Sequence, residues 1–307
     1  MENQTYMNGF LLLPFYAKSN YLLSTLCVFF FLYIFGVLTN AIIITVIYND
    51  DQLHTPMYLF LCNLSLVDIC YTTTTVPNLL YILLSGDNTV SFMQCFTQMY
   101  FYFLADSSEI YLIFIMAYDR YVAICDPLHY HTILNRKHCL LLASGTWISA
   151  SLNSFVLTIP ASHMSFCQSR TIHQFFCDAK ALINISCAGS EDFYTIIYLE
   201  VLIYGTFPIM FCLNSYIKII KVILQIKSKE GRKKAFSTCS SHLTIVIMYF
   251  MTALFLYMMP PSECSDVLEP VFSVLYSVVT PMINPLIYSL RNKDVKSALL
   301  RILRPGV

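Results

Sequence analysis

Charge is what this chain has least of. Asp, Glu, Lys and Arg make up 12% of its 307 residues, while 57% are hydrophobic; soluble domains run near about 25% charged. One soluble core cannot bury that much apolar side chain. The usual marks of an enzyme are missing too: there is no HExxH, no GxSxG, no Walker loop and no GxGxxG. The 7 histidines do not fall at metal-binding spacing. The basic clusters lack the context of a nucleic-acid surface, so no nucleic-acid partner is expected. Linkers, repeats and low-complexity segments are absent, and residues 1–307 read as one domain. Residues 1–20 lack a basic stretch leading into an apolar one, so no cleavable signal peptide is expected and the first span serves as its own insertion signal.

What is present is a series of charge-poor stretches, each longer than the roughly 20 residues that cross a bilayer. Seven are read: Tyr21–Tyr48, Pro56–Leu84, Val90–Ala117 continuing to Ile124, Cys139–Pro160, Phe193–Leu224, Ala235–Met259 and Pro270–Leu290. They predict an all-α membrane protein, a bundle of seven transmembrane helices held in lipid. The formal net charge is zero, but its distribution carries information. Of the 18 Lys and Arg, only Lys18, Arg170 and Lys180 lie on one side; Arg120, Arg136, Lys137, the cluster from Lys218 to Lys234 and that from Arg291 to Arg304 lie on the other. The positive-inside rule makes that second side cytoplasmic. The segment 49–54 is acidic and runs against the trend, but the other loops outweigh it. Residues 1–20 are then extracellular, with a glycosylation sequon at Asn3-Gln4-Thr5, and 291–307 form a cytoplasmic tail. A second sequon, Asn184-Ile185-Ser186, lies in the long outer loop 161–192, where a lid over a ligand would sit. Beyond the last span, Asn292 can cap a short amphipathic helix with Val295, Leu299, Ile302 and Leu303 on one face and basic residues around it, suited to the inner membrane surface.

The 12 cysteines divide by side. Cys95, Cys167, Cys177 and Cys187 fall outside, where disulfides persist; four cysteines allow three pairings, and spacing does not choose among them. Cys264 is a fifth outer cysteine. Cys27, Cys62, Cys70 and Cys212 lie within spans as small apolar packing. Cys125, Cys139 and Cys239 sit near the cytosol as thiols.

Acids inside spans are costly and point to function. There are four: Asp68, Asp106, Glu109 and Glu200. Asp106 and Glu109 stand three apart on one side of the third helix. Two such carboxylates do not both ionise without a cation, so either one holds a proton or a sodium ion bridges Glu109 to Asp68. The plain alternative is a protonated carboxyl hydrogen-bonded within the bundle. Met99, Tyr102, Phe103 and Asp106 form one helical stripe, an aromatic wall broken by an acid, as in ligand sites; core packing accounts for such a stripe equally well. Asp119 directly precedes Arg120 and can hold it in an ion pair. Asn284-Pro285 inside the seventh span breaks the backbone ladder and invites a kink, which would turn Tyr288 toward the helix of Arg120. Asn40, Asp68 and Asn284 can join one buried polar network.

Four motifs in order resemble those of class A (rhodopsin-like) G-protein-coupled receptors, and more narrowly of olfactory receptors. They are Leu53-His54-Thr55-Pro56-Met57-Tyr58 with Asn63-Leu64-Ser65, Met116 to Cys125, Lys234 to Leu243, and Pro281 to Tyr288. The resemblance implies a small-molecule odorant bound within the bundle and a heterotrimeric G protein with a stimulatory, olfactory-type alpha subunit that raises cyclic AMP. It implies the plasma membrane, in the cilia of olfactory neurons. It implies a Cys95–Cys177 disulfide from the third helix to the outer loop, and a Cys167–Cys187 bridge within that loop. Glu109 matches the family's acid facing Asp68. The ligand set it implies takes Met99, Tyr102, Phe103, Asp106 and Ser107 from the third helix, Glu200 and Tyr204 from the fifth, and Phe250, Ala253 and Tyr257 from the sixth. Phe250 stands where the family usually has tyrosine, with Tyr249 one place earlier. Coupling is implied for Asp119, Arg120, Tyr216, Asn284, Pro285 and Tyr288. Two acids facing one site, Asp106 and Glu200, suggest an amine ligand. The alternatives are a non-olfactory class A receptor for a metabolite, and a transporter, although no repeated halves are found.

Overall fold

The computed structural model describes residues 9–13, 22–166, 170–187, 190–258, 268, 271–291 and 293–303. Asn3, Cys167, Cys264 and Asn292, and the side chains of Tyr257 and Tyr288, lie outside the described residues.

Helices dominate: α1 (Leu22–Asn49), α2 (Pro56–Ser85), α3 (Phe92–Cys125), the single turn α4 (Tyr130–Ile133), α5 (Arg136–Ser162), α6 (Ala179–Ile185), α7 (Ser190–Glu200), α8 (Phe207–Gln225), α9 (Lys229–Met258), α10 (Thr280–Arg291) and α11 (Lys293–Leu303). A π-helical stretch, Val201–Thr206, joins α7 to α8 in one span, and another, Leu275–Val279, leads into α10. Among the described residues, five helices are long and apolar enough to cross a membrane: Leu22–Asn49, Pro56–Ser85, Phe92–Cys125, Arg136–Ser162 and Phe193–Gln225. The shorter apolar runs Cys239–Phe255 and Val271–Ile287 bring the spans to seven. All seven fall within a few residues of the stretches read from sequence.

Local chemistry sets the helix ends. Ser91 and Gln94 close a reciprocal capping box on α3, satisfying amides that have no partner in the first turn. Asn135 accepts from the His138 amide at the start of α5, and Pro56 opens α2, where its missing N–H costs nothing. Gly86 ends α2 at φ 70°, a left-handed conformation that glycine adopts freely. The bundle is built around α3, which packs against α2, α5 and α8, while α10 packs against α1 and α9. Phe31, Leu38 and Ile42 of α1 and Phe207, Met210, Leu213 and Ile217 of α8 face outward and exposed, as lipid-facing side chains do, their backbone groups being satisfied within the helix.

Residues 1–20, read from sequence as an extracellular terminus, contribute a strand. Gly9–Leu12 (β1) lies between Thr89–Ser91 (β2), antiparallel, and Thr171–Ile172 (β3), parallel. Phe10 and Leu12 are fully buried, and the Phe10 ring meets those of Phe92 at 4.9 Å and Phe166 at 5.0 Å edge-on. Gly9 is obligatory here: a Cβ would come 2.1 Å from the Val90 carbonyl oxygen. Three strands of two to four residues leave no usable alternation in the sequence, which is why they escape a periodicity argument. The long loop carries a further unforeseen helix, α6, capped by Asp178, and its sequon residue Asn184 is exposed.

At the opposite end, the tail forms α11, with Val295 and Ala298 buried and Leu299 against the core. Arg301 pairs with Asp50 after α1. The guanidinium's hydrogen bond holds the Asp50 carboxyl below its usual range.

Candidate functional site

Three polar assemblies lie along α3, ordered from the sheet end of the bundle to the Arg120 end. At the sheet end the loop after α5 folds inward: Gln174, Phe175, Phe176 and Cys177 are all buried. Cys177 is disulfide-bonded to Cys95, with a Cα separation of 5.4 Å. Cys187 is also disulfide-bonded, while Cys167 lies outside the described residues; the seven free cysteines among those described are Cys27, Cys62, Cys70, Cys125, Cys139, Cys212 and Cys239. Gln98, which sequence reasoning passes over, fixes the loop. Its carbonyl accepts the Cys177 amide at 3.0 Å and its amide donates to the Thr74 carbonyl at 2.9 Å. Gln174 reaches Ser273 of the seventh span at 3.3 Å.

Below the loop, the stripe on α3 is buried at Met99, Tyr102 and Phe103. The Tyr102 ring lies against Phe176 at 4.8 Å and Tyr71 at 5.0 Å. Asp106, one turn further, is enclosed by phenols. Tyr249 of α9 donates to its Oδ1 at 2.8 Å, Tyr276 of the seventh span donates to the same oxygen, and Tyr71 of α2 approaches it at 3.5 Å. The Tyr249 and Tyr276 hydroxyls are 2.6 Å apart. Each has a single hydrogen, so not every one of these contacts is a hydrogen bond at the same moment. Tyr249 thus supplies a polar contact one place before Phe250, whose ring packs on Tyr249 at 5.4 Å. Ala253 is part-buried on the same helix.

Ser107 and Glu200 are brought together by a residue the sequence did not single out. The Asn153 amide of α5 donates to Ser107 Oγ at 2.9 Å and to Glu200 Oε1 at 2.7 Å. Tyr204 turns to Tyr111 on α3, ring centroids 5.6 Å apart. Asp106 and Glu109 share a side of α3 yet serve different partners.

In the middle assembly, Asn284 donates to Asp68 Oδ1 at 3.0 Å and to Glu109 Oε1 at 3.2 Å. Asn40 donates to the Gly36 and Pro281 carbonyls, so it joins the neighbourhood through backbone. Asp68 Oδ2, Glu109 Oε2, Asn40 Oδ1 and Ser108 Oγ are buried without a hydrogen-bond partner. Pro285 sits inside α10 as expected. Among the described residues no three His, Cys, Asp or Glu side chains converge as a metal cluster.

At the far end, Arg120 Nε donates to Asp119 Oδ2 at 2.8 Å and its Nη2 reaches the same oxygen. Tyr130 of α4 donates to Asp119 Oδ1 at 2.8 Å. Burial first, then the adjacent Asp119 charge, pushes the Tyr130 phenol above its usual value, so it remains a donor. Tyr216 of α8 is hydrogen-bonded to His242 Nδ1 of α9, their rings stacked at 5.9 Å. His242 lies within the run Lys234 to Leu243 and could have been read from it; Tyr71, Tyr130, Asn153 and Tyr276 carry no such signal.

A family profile described as olfactory receptor matches residues 29–305. Olfactory receptor 2M2 of Homo sapiens is 42% identical over 307 residues, covering 99% of this chain and 88% of the relative. Human olfactory receptor 2T5 is 41% identical over 303 residues, covering 99% and 96%. Olfactory receptor 1G1 of Gorilla gorilla gorilla is 41% identical over 302 residues, covering 98% and 96%. Seven apolar spans, an acid–arginine pair at one end of the central helix and this match over nearly the whole length agree: the chain belongs to the olfactory receptor family, whose members are G-protein-coupled receptors and not enzymes.

Proposed function

We propose that this chain takes a small odorant between its helices at the sheet end and activates a heterotrimeric G protein of the stimulatory, olfactory type, raising cyclic AMP. The observation that carries this reading is the double attachment of α9. One of its side chains, Tyr249, bonds Asp106 on α3, and another, His242, bonds Tyr216 on α8. Seven residues separate them, a rise of about 10 Å. A ligand that disturbs the first contact therefore acts on the same rigid helix that borders the second, close to Asp119 and Arg120. Opening of that end would free Arg120 to meet the G protein.

The basic residues near Arg120 support a cytoplasmic position for that end. The sheet, the disulfide and the Asn3 sequon are then extracellular, in the plasma membrane and, by the family's habit, in sensory cilia. Acids at Asp106 and Glu200 favour an amine ligand, since a desolvated carboxylate prefers a cationic partner. The middle assembly suits a sodium ion: Asp68, Glu109, Asn40 and Ser108 offer hard oxygen donors with unsatisfied lone pairs. Such an ion would supply the positive charge that two facing carboxylates need.

Cells expressing the full chain, exposed to amines, carboxylic acids and neutral odorants, should answer at least one class with cyclic AMP. A receptor at the cell surface that raises cyclic AMP for none of them, and has no basal signal, contradicts the reading.

A further inference from the structure

The two acids at the sheet end differ in their partners. Asp106 receives the Tyr249 and Tyr276 hydroxyls on one oxygen, with Tyr71 alongside. Those phenols come from α9, the seventh span and α2, so the carboxylate ties four helices together. An ammonium arriving there must compete with neutral donors already in position. Glu200 takes one side-chain hydrogen bond among the described residues, from Asn153 to Oε1. The second oxygens of both acids, Glu200 Oε2 and Asp106 Oδ2, take no side-chain hydrogen bond among the described residues. The contrast is therefore one donor on Glu200 against three phenols around Asp106 Oδ1, and no lysine or arginine pairs with either acid among the described residues.

Position reinforces the contrast. Glu200 is the last residue of α7, immediately before the π-helical Val201–Thr206. Such a segment widens the helix and re-aims the side chains around it, and it is found frequently at functional sites. Asn153 spends both amide hydrogens, one on Ser107 of α3 and one on Glu200. It thereby draws the Glu200 side chain to α5 and links it through the same amide to Ser107 of α3, although its neighbours Leu199 and Val201 are exposed.

We propose that Glu200, aimed by the positioning residue Asn153, is the cation anchor for an amine ligand, and that Asp106 is a latch between helices, not a ligand group. This rests on the proposed receptor function and assigns the ligand's charge to one of its two acids. Charge-assisted hydrogen bonds between an ammonium and a carboxylate are among the stronger ones. Loss of the anchor therefore costs an amine affinity that an alcohol of the same chain length never had.

The test uses full-length receptor in cells, with primary alkylamines from hexylamine to decylamine, each paired with the alcohol of equal length. Cyclic AMP dose–response curves are read against surface expression. In the wild type the amine should be the more potent of each pair. Glu200→Gln should lower the amine-to-alcohol potency ratio about tenfold or more. Asn153→Leu should lower it about threefold, with Asn153→Gln restoring part; a purely structural Asn153 would shift both members of a pair equally. Asp106→Asn should move amines and alcohols together and change basal cyclic AMP. Loss of the amine preference in Asp106→Asn but not in Glu200→Gln overturns the assignment, as does equal loss in both. A wild type that responds to the alcohols without preferring amines overturns the anchor while leaving the receptor reading intact. Silence to every pair, with no basal signal, overturns that reading and the anchor with it.

Discussion

Two knots are tied around aspartates on the same helix, about three and a half turns apart, and their donors differ in kind. Asp119 is held by a charge, the guanidinium of the adjacent Arg120, with one phenol from α4 added. Asp106 is held by phenols alone, from residues 35, 143 and 170 positions away. An ion pair of sequence neighbours constrains a side chain without constraining the bundle, and it is opened by a partner that competes for the charge. A carboxylate shared by hydroxyls from three other helices constrains the bundle itself, and it is opened when one of those helices moves. The first is suited to meeting a protein, the second to sensing a small displacement.

The most severe way to break the comparison is at the charged knot. Arg120→Ala should abolish ligand-evoked cyclic AMP while the receptor still reaches the surface; normal signalling at normal expression would remove Arg120 from coupling. Next comes the cover over the neutral knot. Loss of a native disulfide commonly costs about 2–5 kcal/mol, so Cys95→Ser and Cys177→Ser should each deplete surface receptor, and the double variant should be no worse than either single one. Additive losses would show that the bond does not hold the loop.

A smaller effect is expected at the neutral knot itself. Tyr249→Phe or Tyr276→Phe removes one hydroxyl from Asp106, and leaving a buried acceptor short costs about 1–3 kcal/mol. Basal cyclic AMP should rise a few-fold, and the double variant should fall short of the product of the singles because the phenols share one oxygen. Unchanged basal activity would mean that the knot is passive packing. The smallest effect lies outside both knots. Arg301→Ala removes the pair with Asp50, worth no more than about two degrees in the melting temperature of purified receptor. Asp50 is held below its usual value of 3.8, so this contribution is complete above that pH and is lost as pH falls through the lowered value. A difference between wild type and variant that grows on acidification would reverse that sign.

The sequence by itself determined the seven spans, because a run of apolar residues long enough to cross lipid has no other stable disposition. It determined the Asp119–Arg120 pair, because the partners are consecutive, and it pointed to Asp68, Glu109 and Asn284, because acids and amides in spans are too costly to be incidental. The family motifs added Cys95–Cys177, which the structure bears out. Tertiary structure decided the rest. Tyr71, Tyr249 and Tyr276 look like ordinary apolar filler in three separate spans until folding brings their hydroxyls to one oxygen. Asn153 has no local signature, since its purpose is defined by Ser107 and Glu200 on other helices. The Gly9–Leu12 strand is too short to show a period, and it exists because Phe10 and Leu12 find buried places among residues about 80 to 160 positions away. Local physics is written in neighbouring residues; hydrogen bonds between helices are selected only when packing fixes which faces meet.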